Sequence, residues 1–254
     1  MRLALATLWI MVGCVLTATV YWAFLITPES TVWALIMSAM LAIAALALVG
    51  LTATGAIAMW WHGASIAGVT RALQSIHGVI PAAALVWAIW WVVHRAEIWI
   101  AMRSGQINAW FIARLGWDNV SWLFTAIGMA ADWFRWVIGA LLALSLMAGF
   151  VAIGWRALAQ PAWLRRALRP RAIAAATLWF GGLIALPWIY LVPWRPESLP
   201  PTSIEFAFIV AKLSFSAILF AIGAALVTYE ASRTPVSAGD PGTAASAVAG
   251  PHEL

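Results

Sequence analysis

Residues 94–136 read HRAEIWIAMRSGQINAWFIARLGWDNVSWLFTAIGMAADWFRW, and the reading of this stretch decides the fold. It holds Trp99, Trp110, Trp117, Trp122, Trp133 and Trp136 beside Arg95, Glu97, Arg103, Arg114, Asp118, Asp132 and Arg135. A tryptophan buries its ring and wets its edge, so rings interleaved with charges suit the headgroup layer of a bilayer better than a soluble loop. The stretch is therefore expected to be a Trp-rich interfacial segment over 95–136. Within it, Asp118 is placed to cap a helix whose apolar face is Val120, Leu123, Phe124, Ile127 and Phe134. Asp132 and Arg135, three residues apart, read as a local ion pair. Arg114, Asp118, Asp132 and Arg135 together form a candidate interfacial cluster. Between Val120 and Ile153 only Asp132 and Arg135 are charged, so 120–136 is open to three readings: a surface helix, a re-entrant segment or part of the fourth span.

Composition sets the class on either side of this stretch. Of 254 residues, 65% are hydrophobic and 9% charged, against about 25% charged in an ordinary globular domain. No soluble core hides that much apolar surface, so an all-α integral membrane protein of about six transmembrane helices is expected. The apolar runs place spans near 3–26, 32–60, 79–94, 137–155, 172–192 and 204–229, most long enough at ~1.5 Å per residue to cross a ~30 Å hydrocarbon core. Tyr21, Trp22 and Phe24 end the first run where a cleaved signal peptide would show small residues, so an uncleaved helix is expected. Pro28 punctuates the turn to the second span, and Pro187 and Pro193 are expected to kink or end the fifth. The tail, 231–254, is Ala, Ser, Gly, Pro and Thr with few apolar anchors, and disorder is expected there.

The connectors between spans carry their own pattern. Ile66, Val69, Leu73, Ile76 and Ile80 recur at three- and four-residue steps, with Arg71, Gln74 and Ser75 on another face, the signature of an amphipathic interfacial helix between spans 2 and 3. A second such element, between spans 4 and 5, sets Arg156, Arg165, Arg166, Arg169 and Arg171 among Leu158, Trp163, Leu164 and Leu168. The segment 95–136 supplies the third, between spans 3 and 4. The two basic connectors also resemble each other, with Arg71-Ala72-Leu73 matched by Arg166-Ala167-Leu168, as an internal duplication of spans 2–3 and 4–5 would give.

Charge placement bears on orientation and partners. With the amino terminus cytoplasmic, that side takes Arg2, Arg71, Arg156, Arg165, Arg166, Arg169, Arg171 and Arg233, against Arg95, Arg103, Arg114, Arg135 and Arg195 outside, so both termini are expected inside. The net charge of +5 is nearly all arginine beside span ends, which points to anionic lipid headgroups and topology rather than nucleic acid. Thirteen arginines to one lysine, with heavy Ala, Gly and Trp use, suggest a bacterial cytoplasmic membrane. The single cysteine, Cys14, excludes an intrachain disulfide and a Cys-based metal cluster.

Candidate chemistry is sparse. Lys212 lies inside the sixth span, with Glu205 two turns earlier. Ionisable groups at such depth cost ~2.5–3.5 kcal/mol on insertion scales and often mark an ion, proton or substrate path. The alternative is that the Lys212 ammonium snorkels to a headgroup or is neutralised within the protein. His62 and His94 end consecutive spans at opposite faces, and His77 follows an interfacial helix, so no bis-histidine haem or metal site is implied. The five arginines of the fourth connector match phosphate oxygens and are candidate anionic-lipid contacts. No nucleotide, hydrolase or metalloprotease motif occurs, and no cofactor is implied. Two functions stand: a non-enzymatic accessory, scaffold or assembly subunit, with a membrane-protein partner or a second copy of the chain; or a small permease, exporter or lipid-handling transporter working through Lys212 and Glu205.

Overall fold

The computed structural model of the protein describes residues 1–27, 30–116, 120–194 and 202–233. Ten helices follow in order among these residues. They are α1 Arg2–Ile26, α2 Val32–His62, α3 Ile66–Gln74, α4 Ile76–Met102, α5 Ser104–Leu115, α6 Ser121–Ile153, α7 Arg156–Ala159, α8 Ala162–Ala167, α9 Pro170–Leu191 and α10 Thr202–Ser232. Six of them, α1, α2, α4, α6, α9 and α10, are long and apolar enough to cross a membrane. No strand occurs among the described residues. Asp118, Arg195, the turn at Pro28 and Glu29, and the tail from residue 234 onward lie outside the described residues.

Several boundaries differ from those read in the sequence. The third span's helix does not end at His94 but runs on to Met102. The fourth does not begin at 137 but at Ser121, 33 residues in all. The expected interfacial segment 95–136 is thus divided: its first part continues α4, its middle forms α5, and its last part opens α6. Charge explains why the helices run past the apolar runs. Arg95, Glu97, Asp132 and Arg135 lower the local hydropathy, yet Arg135 pairs with Glu97 and Asp132, and the backbone continues as helix through all four. At ~1.5 Å per residue α6 is roughly 50 Å long, more than a ~30 Å hydrocarbon core requires. Alanine 231 and Ser232, assigned to the tail from the sequence, complete α10.

The second half of α6 is the centre of the bundle and is more enclosed than any of the other five candidate spans. Val137, Ile138, Leu141 and Leu142 pack with Ala167, Ala172, Ala176, Val227 and Ala231, while Met147, Ala148 and Val151 meet Ile57, Val79 and Ala82. Helices this apolar gain little from exchanging lipid for leucine, so their contact depends on close approach of small residues and on hydrogen bonds. A Cβ at Gly50 would lie 2.8 Å from Val79, and one at Gly78 2.8 Å from Phe150. Gly13 faces the side chain of Thr52, and Gly55 faces the indole of Trp9.

Tryptophans supply the hydrogen bonds. The indole of Trp9 donates to the Thr52 carbonyl at 3.1 Å, Trp60 to Ala225 at 3.2 Å and Trp61 to Ser232 at 2.9 Å. Each ties two helices at a donor that an apolar surround leaves without water. Gly55→Val should therefore displace Trp9 and loosen α1 from α2, at about 1–3 kcal/mol for overpacking. Reversible unfolding in lipid bicelles measures this, with Gly128→Ala, where an added Cβ meets nothing within 4 Å, as the reference. Equal stability of the two variants would show that this contact does not hold α1.

Both basic connectors fold back along the helix that precedes them. α2 and α6 end at Gly63 and Gly154, with φ of 66° and 60° and ψ of −164° and −142°, a conformation open essentially to glycine alone. After Gly63, α3 turns back so that the Ala72 carbonyl accepts from the Thr54 hydroxyl at 3.2 Å. After Gly154, α7 lays Ala157 against Gly149, and α8 buries Ala167. Ala72 and Ala167, the middle residues of the two Arg-Ala-Leu triplets, are each 1% exposed. The face of α3 that packs inward is Gly68 and Ala72, whereas Ile66, Val69 and Leu73 point outward.

Candidate functional site

Lys212 sits on α10, is only 9% exposed, and directs its ammonium at the end of α9. Nζ donates to the carbonyls of Val192 at 2.6 Å and Trp194 at 2.8 Å, and lies 5.5 Å from the centre of the Phe208 ring. The local sequence accounts for this. Pro187 brings no N–H to the ladder and clashes with the turn before it, and the backbone shifts to π-helical spacing over Phe180–Ala185 and Pro187–Leu191. The last bond of that register runs from the Val192 amide to the Pro187 carbonyl, and Pro193 follows. Carbonyls at a helix end have no partner within the helix and carry partial negative charge. Helical side chains lean toward their own N-terminus, so Lys212 reaches back along α10 to these carbonyls. Glu205 takes no part: it is partly buried, two turns earlier, and the Lys212 ammonium bonds to backbone rather than to it. Among the described residues Glu205 forms no ion pair.

The second largely enclosed cation is Arg135. Its guanidinium, 10% exposed, pairs with Glu97 on α4 and with Asp132 at 3.2 Å, and lies 5.1 Å from the Trp90 ring. Trp90 meets Trp136 edge to face at 5.4 Å. Arg135 falls in a π-helical segment of α6, Phe134–Ile138, and its Nε is buried without a hydrogen-bond partner. Beside it the Trp133 indole donates to Thr177 of α9 at 3.0 Å. The pairing joins α4, α6 and α9 at one level. Of the cluster expected from the sequence, Asp132 and Arg135 stand together. Arg114 is exposed on α5, and Asp118 lies outside the described residues. Glu97 was missed. It is the only acid in α4, and placing α4 antiparallel to α6 would have brought it opposite Arg135.

The arginine connector forms a third locus. Arg156, Arg165, Arg169 and Arg171 are exposed and Arg166 is half-buried on α8 and its flanks. Burial lowers the Arg166 pKa from its usual value, and the positive charge of Arg169 lowers it further. In the other connector, Arg71 instead meets His62 Nε2 at 3.2 Å. His77 stacks on Trp155 at 5.0 Å with Phe150 at its edge, 5.5 Å away, and His94 is exposed on α4. Among the described residues, no three of His, Cys, Asp or Glu come together closely enough to hold a metal ion.

These elements define a class, the all-helical chains with six candidate membrane-spanning helices, as a multi-pass membrane protein requires. No protein-family model matches the chain, and no curated protein or solved structure does so either.

Proposed function

We propose that this chain acts non-enzymatically, as an accessory, scaffold or assembly subunit of a membrane complex, in a bacterial cytoplasmic membrane with both termini cytoplasmic. The engagement of Lys212 carries the reading. A cation that serves a solute path must exchange partners, whereas this ammonium is bound to two backbone carbonyls just past the end of α9. The same engagement counts against the alternative, a small permease, exporter or lipid-handling transporter working through Lys212 and Glu205. The excess of arginines on the connector side supports the orientation. Large side chains turned outward on several helices, among them Trp33, Trp87, Trp99, Trp122 and Trp188, supply surface for lipid or a partner helix.

Extraction from native membranes in mild detergent tests this reading. The chain should migrate in an assembly larger than one copy and lose it in harsher detergent. A stable single chain that responds to a solute would refute the scaffold reading.

A further inference from the structure

We propose that the arginine connector is a binding site for the phosphate of an anionic phospholipid, centred on Arg166 and Arg169 where α8 passes into α9. This goes beyond a scaffold role and does not rest on it.

The site is built rather than merely charged. α7 and α8 are held against α6 by Ala157, Ala167 and Trp163, so the backbone that carries the arginines is fixed. The outward side then presents two chemistries in alternation. Trp155, Leu158, Leu164 and Leu168 are 59%, 51%, 37% and 48% exposed, and Arg156, Arg165 and Arg169 stand between them. Acyl chains match the first set and a phosphate diester the second, because guanidinium presents paired donors to two phosphate oxygens. None of the five arginines forms an ion pair with a described residue. The neighbouring charges of Arg166 and Arg169 oppose each other, and an anion between them removes that opposition. A topological signal alone needs positive charge. It does not need the packed backbone.

Lysine substitution separates the two, because it keeps the charge that sets topology and loses the paired donors. The full chain, equilibrated with equal phosphatidylglycerol and phosphatidylcholine and read by native mass spectrometry, should retain phosphatidylglycerol about tenfold over phosphatidylcholine. R166K/R169K should bring that ratio close to one, and R71K, on the other connector, should leave it unchanged. Equal retention of the two lipids by the parent overturns the proposal whether or not the double variant folds, and so does a folded R166K/R169K that keeps the parent's preference. Inorganic phosphate at the lipid's concentration should not displace it. If it does, the ligand is a free phosphate and the lipid site is refuted.

Discussion

Replacing Lys212 with methionine should lower stability by about 2–4 kcal/mol, since two hydrogen bonds from a charged donor are worth ~1.5–3 kcal/mol each and water recovers only part of them. Methionine keeps the length and the apolar stem, so the loss isolates the ammonium. The Val192 and Trp194 carbonyls, which lie at the end of a π-helical segment, are left without their donor. Lys212→Gln should fall between parent and methionine, because one amide group reaches fewer acceptors. Glu205→Gln should change stability little. Reversible unfolding in bicelles gives all three values. A large Glu205→Gln effect with a small Lys212→Met effect would reverse the assignment of the cap.

The second large effect is expected at Arg135. Removing one partner of a buried ion pair costs about 3–5 kcal/mol when the other is left charged and dry. Glu97 is 31% exposed and Asp132 64%, so Arg135→Leu should cost less, about 2–3 kcal/mol after solvent screening. Arg135→Leu combined with Glu97→Gln should recover a large part of that loss, because no unpaired carboxylate remains on α4. Asp132→Asn, at an exposed i, i+3 pair, should cost under about 1 kcal/mol. A double variant no better than Arg135→Leu alone would show that Glu97 is not the partner that matters.

These two cations show what the sequence carries and what it omits. Six long apolar runs were legible because a helix that crosses a bilayer needs length and hydropathy, and both are local properties. The short helices of the two basic connectors were legible from local periodicity. Their packing was not, since the periodic stripe Ile66, Val69 and Leu73 points away from the bundle and the contact is made by Gly68 and Ala72, too small to stand out in the pattern. In a lipid surround the small face is the one that lets helices approach. Glu97 and Arg135 are 38 residues apart, and until they are paired their charges read as breaks in two spans. Lys212 stood out as an intramembrane cation, but its partners are backbone carbonyls, which no side-chain pattern announces. The tryptophans were read only as interfacial rings. Trp9, Trp60 and Trp61 also donate to carbonyls of neighbouring helices, a role fixed by helix pairing.

Whether the charge inside the sixth span is architectural or faces a path for solute decides between scaffold and transporter, and one lysine in 254 residues makes that directly measurable. The full chain in bilayers, treated with a water-soluble amine-acylating reagent and read by peptide mass, offers two targets, Lys212 and the amino terminus. Met1 is fully exposed and Lys212 9% exposed. Met1 should acylate quickly while Lys212 stays unmodified until the protein is denatured. Rapid acylation of Lys212 in the folded protein, slowed by an added solute, would place it in a water-filled path and contradict the account.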